Sequence, residues 1–259
     1  MLGEIRRARI LESVSKAGFV AVSDLADELG VSTMTIRRDI ALMEGQGRFL
    51  RTHGGAISAE RGGWGPVWDE DEPAFDRRMR RNAQAKATIA RAAARLIGPS
   101  ESIGLDVGTS VLALAREICS RDDLRIFTNN LRAGMELATS GSSIYVVGGK
   151  IRQGEFSLIG SAAVDQFLSH FIDRVFVGVS GIDESGTFDY SPEDTEVKRA
   201  MIRNAGSVVV LCDSAKFGRR ALARVADFSR IDVLVTDAAP SDELAQALAE
   251  HGVDVIVAE

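Results

Sequence analysis

Only two cysteines and three histidines occur among the 259 residues, and aromatic residues make up just 6%. Cys119 and Cys212 lack the short spacings of metal ligands and read as ordinary buried residues of a reducing cytoplasm. His53, His170 and His251 are scattered, which argues against a histidine-based metal site. The few aromatics provide no stacking platform of the kind RNA readers use. No apolar run is long enough to cross a bilayer, and charged Glu4, Arg6, Arg7 and Arg9 precede any apolar stretch, unlike a secretory leader. Catalytic and nucleotide motifs are missing too. Gly149-Lys150 does not complete a Walker A loop, because Ile144 takes the first glycine position and Ile151 the Ser/Thr position. No G-x-G-x-x-G opens a helix, and there is no G-x-S-x-G elbow. The expectation is a cytoplasmic protein with no cofactor, no metal centre and no membrane contact.

What is present suits one large or two smaller domains, with 45% hydrophobic and 26% charged residues. The net charge of −6 argues against a protein that coats nucleic acid, but leaves room for a small DNA-reading module on an acidic body. Residues 1–57 carry eight basic and seven acidic side chains, so the remainder holds the negative charge.

That first segment has a helical pattern over residues 4–17 with Ile10, Leu11, Val14 and Ala17 inward, and a second from Asp24 to Leu29 with Leu25, Ala26 and Leu29 inward. Gly30 supplies the positive φ that stops the second helix. Ser32 then caps a third, in which Ile36, Ile40 and Met43 form an apolar stripe. Met34, Thr35, Arg37, Arg38 and Ala41 face the other way, and Thr33 stands with Met34 and Thr35 in the N-terminal turn. Short hydroxyl side chains followed by two guanidinium groups suit a helix whose first turns enter the major groove. Alone, the pattern also fits a solvated basic face. The preceding helix and tight turn make it a helix-turn-helix. Gly45-Gln46-Gly47 is a turn, and residues 48–56 read as a hairpin, or wing, offering Arg48, Arg51 and His53 to phosphates.

Val31-Ser32, Thr35-Ile-Arg-Arg-Asp39 and Arg51-Thr-His-Gly-Gly-Ala56 resemble the DeoR-type winged helix-turn-helix of bacterial transcriptional repressors. A roughly neutral reading head binds weakly alone, so a homo-oligomer, dimer or tetramer, on a two-half-site operator of double-stranded DNA is expected.

Residues 58–73, turn-rich and then acidic at Asp69–Glu72, read as a linker with a solvated spacer. From residue 74 to 259 the pattern alternates. A long helix is predicted from Phe75 to Leu96. Strands follow at residues 103–107, 125–128, 144–147, 174–177, 208–212, 232–235 and 253–257, with helices between most of them. This implies a mostly parallel sheet covered on both faces, with ligands at the carboxyl ends of its strands. Gly108, Thr109 and Ser110 then form an anion site at a helix N-terminus. Asp106 beside them could accept from sugar hydroxyls. Thr128 and Asn129, Gly148 and Gly149, Gly178 and Gly181, and Lys216 stand at further strand ends.

This second segment resembles the DeoR-type sensor domain through Lys86–Ala90, Asp106–Ser110, Thr128-Asn129, Val147–Gly149, Phe176–Gly178, Glu196–Lys198 and Asp213–Phe217. The resemblance implies a fold related to ribose-5-phosphate isomerase and the CoA-transferases, and a phosphorylated sugar as effector. It also implies effector contacts from Lys86, Glu196 and Lys216, with the two lysines flanking the phosphate. The chain departs from the commoner family loop in having Val107 between Asp106 and Gly108. The rival expectation is a sugar-phosphate isomerase carrying a DNA-binding domain. Such an enzyme needs paired carboxylates after the fourth strand, and Val177-Gly-Val-Ser180 contains none. The lysine that accompanies the pair is also absent near Gly186-Thr187. A repressor of carbohydrate metabolism, with no catalytic residues, is therefore expected.

Overall fold

The computed structural model describes residues 72–259 continuously and, before them, residues 6, 7, 9, 10, 19–21, 25, 26, 29–44, 49–51, 55–58, 67 and 68. Two compact units divide between Gly65 and Pro66.

The first unit contains β1 (Phe19–Ala21), α1 (Thr33–Glu44), β2 (Phe49–Arg51) and β3 (Gly55–Ser58). The central strand β3 pairs antiparallel with both β1 and β2, so the predicted hairpin is joined by a third strand. Ile36, Ile40 and Met43 are buried against Ile10, Leu25, Ala26 and Leu29, as the i, i+4, i+7 spacing predicted. Each large apolar side chain so buried contributes about 1.5–3 kcal/mol. Gly30 adopts φ +63°, and Val31 N–H donates to the Ala26 carbonyl at 3.0 Å, closing the tight turn. Leu11, Val14, Ala17, Arg48 and His53 lie outside the described residues.

The second unit opens with β4 (Val67–Trp68), α2 (Phe75–Arg80), α3 (Ala83–Ala94), β5 (Ser102–Leu105), α4 (Thr109–Glu117), β6 (Arg125–Thr128), α5 (Leu131–Leu137) and β7 (Ser143–Val146). Next come β8 (Lys150–Arg152), β9 (Ser157–Ile159), α6 (Ser161–Leu168), β10 (Ile172–Gly178), β11 (Gly181–Asp183), β12 (Gly186–Asp189) and α7 (Pro192–Arg203). The unit ends with β13 (Ala205–Leu211), β14 (Arg219–Arg220), β15 (Ala223–Ala226), β16 (Val233–Thr236), α8 (Asp242–Glu250) and β17 (Asp254–Val257).

Seven strands form one parallel sheet in the order β17-β16-β13-β10-β5-β6-β7. Each overlaps one of the seven predicted strands. The sheet is apolar on both sides because alternate residues serve different cores. In β13, Val208 and Val210 face one core, and Val209 and Leu211 the other. Gly104 of β5 is required by this packing, since a Cβ there would stand 2.7 Å from Val175 Cγ1.

Two expectations need correction. The predicted single helix from Phe75 to Leu96 is two helices. Arg81 is extended and Asn82 is left-handed at φ 52°, which turns the chain between α2 and α3. The acidic run was expected to be solvated spacer, yet Glu72 is mostly buried and paired with Arg78 and Arg152 (3.1 and 2.6 Å). β4 likewise pairs with β14 inside the second unit. The β8–β9 hairpin and the antiparallel sheet β11-β12-β15 were not foreseen.

Candidate functional site

Helix α1 presents the expected polar surface. Ser32 caps it, with its Oγ accepting from Thr35 N–H at 3.3 Å and lying 3.0 Å from Thr35 Oγ1. Ser32, Thr33, Met34 and Arg38 are exposed, Met34 to 70%, while Thr35 is half-buried. The backbones of Arg37 and Arg51 belong to α1 and β2, but their side chains lie outside the described set. One residue of the T-I-R-R-D motif has a role the sequence did not show. Asp39 is buried and receives Arg6 Nε at 2.5 Å and Arg7 Nη1 at 3.3 Å, tying the first helical segment to the back of α1.

In the second unit, the sheet order reverses direction between β5 and β10. From β5 the chain runs outward through β6 and β7, then returns to β10 on the other side and continues through β13. A crevice opens at the carboxyl ends where such a reversal occurs. A cleft of about 770 Å³, open to solvent, lies there. Gly108, Thr109, Ser110 and Gly178 line it, with Lys86 and Lys216.

Local geometry gives part of its wall features that suit an anion. Gly108 takes φ +111°, a conformation suited to glycine, and starts α4 without any side-chain cap. Uncapped first-turn amides and the positive end of the helix dipole favour an anion. Ser110 Oγ is buried with no hydrogen-bond partner. Lys86 donates to the carbonyls of Arg78 and Arg81, the latter at 2.7 Å, and so caps the C-terminus of α2. Only the break at Arg81-Asn82 places those carbonyls within its reach. Burial, reinforced by neighbouring Lys216, pushes the Lys86 ammonium down to about 8. Lys216 donates to the Val179 carbonyl at 2.7 Å and lies 3.6 Å from Asp213.

Other expected contacts are elsewhere. Thr128 Oγ1 donates to the Leu105 carbonyl at 2.6 Å, and Asn129 Nδ2 to the Leu158 carbonyl at 3.3 Å. Both lie at the end of β6, away from the reversal. At Gly149 a Cβ would stand 2.7 Å from the Ile159 carbonyl, and at Gly181 one would stand 2.3 Å from that of Arg219. Those glycines serve close backbone approach. Gly148 N–H donates to Gln166 at 3.1 Å. Glu196 is exposed on α7, whereas Asp194 and Lys198 of the same helix line the cleft.

Asp106 does not line the cleft; it is fully buried beneath it. It pairs with Lys198, which also pairs with Asp189 at 3.1 Å and donates to the Gly178 carbonyl at 3.0 Å. Asp106 Oδ2 accepts from Gly178 N–H at 3.0 Å. Burial pushes the Asp106 carboxyl up to about 6, against the pull of Lys198. Burial would also lift Asp189, but Lys198, with Ser180, holds it below the usual range. The Lys198 ammonium is raised despite burial, because Asp106 and Asp189 flank it. Val177–Ser180 itself has no carboxylate, but Asp106, Asp189 and Lys198 converge at the end of β10 from other elements, locked to one another.

Sequence reasoning also missed Arg78, Arg81, Asn82, Glu155, Asp194 and Arg219, all on the cleft. Asp194 and Lys198 did carry a signal, being four residues apart on one helix face among buried Thr195, Val197 and Met201. Among the cysteines, Cys212 is buried with its thiol pushed up to about 12, but Cys119 is exposed, not buried as expected.

Residues 81–238 match the model of the DeoR C terminal sensor domain, and residues 6–62 that of the DeoR-like helix-turn-helix domain. The chain belongs to the DeoR family. Among DeoR-family relatives, the glycerol-3-phosphate regulon repressor of Escherichia coli K12 is 34% identical over 96% of this chain and 97% of its own. The HTH-type transcriptional repressor GlcR of Bacillus subtilis is 31% identical over 100% and 98%. Of solved structures, ribose 5-phosphate isomerase A of Methanocaldococcus jannaschii overlays 52% of this chain and 55% of its own at 19% identity and TM-score 0.40, too loosely to inform chemistry. Among the described residues of this DeoR-family protein, no helix is long and apolar enough to cross a membrane.

Proposed function

We propose that this protein is a cytoplasmic transcriptional repressor of a carbohydrate-metabolism operon, released from its operator by a phosphorylated sugar. The observation that carries the reading is the uncapped N-terminus of α4 facing Lys86 and Lys216 across one cleft. The unit up to Gly65 would read DNA and the unit from Pro66 would sense. The relatives named as repressors support regulation over catalysis, and Asp106, Lys198 and Asp189 beneath the cleft are paired with one another. The protein would act as a homo-oligomer whose paired heads occupy two half-sites, with the effector shifting their spacing. The deciding experiment is titration of the full chain with its own promoter DNA, with and without sugar phosphates, at fixed salt.

Two results are expected. Arg38→Ala should weaken operator binding by roughly tenfold, the range for one base or phosphate contact, in fluorescence anisotropy. Unchanged affinity would remove Arg38 from the DNA face. Effector affinity, by calorimetry, should fall as pH rises through about 8, because the Lys86 ammonium then loses its proton. A phosphate ester is already dianionic there, so affinity that stayed level or rose would show that Lys86 does not face the anion.

A further inference from the structure

Asp194 stands in the first turn of α7 and lines the cleft, yet its side chain is almost wholly buried. Its Oδ2 receives Arg152 Nε at 2.7 Å, and Arg152 is held in turn by Glu72 at 2.6 Å. Its Oδ1 is buried with no hydrogen-bond partner. A buried carboxylate oxygen without a donor is costly, and a protein that keeps one on a cleft wall leaves it for something that arrives. Glu155, also buried, lines the same cleft and is committed to Arg78. This wall therefore offers acceptors and negative charge. The opposite character is found at the N-terminus of α4, where Ser110 Oγ, likewise buried and unpartnered, stands beside the free end of a helix dipole.

We propose that Asp194 is the specificity-determining residue of the cleft, and that it selects a phosphorylated polyol or sugar whose far end is an alcohol over one whose far end is a carboxylate. The inference rests on the anion reading of the α4 terminus made above. With the phosphate fixed there, an O–H donated to Asp194 Oδ1 satisfies the orphan oxygen. A carboxylate at the same point has no proton to give and meets a second negative charge in a poorly solvated place.

Matched ligand pairs test this on the full chain by thermal shift and calorimetry. Glycerol 3-phosphate against 3-phosphoglycerate, taken with the same arrangement at C2, and sorbitol 6-phosphate against 6-phosphogluconate, differ only in alcohol against carboxylate at one end. Inorganic phosphate is the reference. Phosphate should bind weakly, at least one alcohol should bind on the order of tenfold or more tightly than phosphate, and its acid partner should bind no better than phosphate. Asp194→Asn keeps the shape and an oxygen for Arg152 but turns Oδ1 into a donor, so it should erase the alcohol's advantage and narrow or reverse the preference. An acid that outcompetes its alcohol in the wild type overturns the proposal without any variant. So does an alcohol advantage that survives Asp194→Asn, or the lack of any alcohol that exceeds phosphate. Failure of inorganic phosphate itself to bind identifies a different fault, in the anion site.

Discussion

Replacing Lys198 with methionine is expected to lower the stability of the second unit by about 3–5 kcal/mol, the usual cost of breaking a buried ion pair from one side. The Lys198 side chain is only 1% exposed and pairs with both Asp106 and Asp189. Methionine fills most of the volume but leaves two buried carboxylates facing each other with no counter-charge. The loss should depend on pH in a fixed direction. In the wild type, Asp106 titrates near 6, above its value of about 3.9 in an unfolded chain. A folded-state value above the unfolded one is a penalty present at high pH and relieved as pH falls through the folded value. Without Lys198, both carboxyls should titrate higher still. The gap between variant and wild type in urea melts should therefore be widest near about pH 8 and narrow by about pH 5.5. A gap that does not change with pH would mean that methionine lost packing, not charge.

The double substitution Thr109→Ala with Lys216→Met should abolish the response to the effector. Thr109 stands in the first turn of α4, and Lys216 reaches the same cleft from the segment after β13. A charge-assisted hydrogen bond to phosphate contributes about 1.5–3 kcal/mol. Loss of a hydroxyl and an ammonium together should weaken effector binding by roughly a hundredfold or more. Methionine retains the stem of Lys216, so among the described residues the partners lost are the Val179 carbonyl and Asp213. Calorimetry should show the loss of sugar-phosphate binding, while operator affinity without effector stays as in the wild type. Operator release that persists at the same effector concentration would put the effector somewhere other than the α4 terminus.

Local pattern alone settled the kind of each main element. The stripe of Ile36, Ile40 and Met43, the Ser32 cap and the positive φ of Gly30 follow from helical period and backbone sterics within a few residues. Seven short apolar runs became seven parallel strands; central ones such as β5 and β10 are buried on both faces, whereas the edge strands β7 and β17 are largely exposed. The glycine-led turn of residues 106–110 into α4 was legible from a glycine and two hydroxyls before a helical pattern.

Tertiary structure decided which strand ends share a site. Thr128, Asn129, Gly148 and Gly149 look as promising as Gly108 when read one loop at a time. Strand order places the reversal between β5 and β10, and their loops lie beyond it. Asp106 looked free to meet a sugar until α7 brought Lys198 to it across 92 residues. Glu72 looked solvated until Arg78 and Arg152 came together around it. Such pairings are fixed by the path of the chain through the sheet, and no periodicity in the neighbouring sequence encodes them. The break at Arg81-Asn82 is of the same kind: the segment has unbroken helical character by itself. The turn persists because Lys86 binds the carbonyls it frees and Asn82 donates to Asp213 at 2.8 Å.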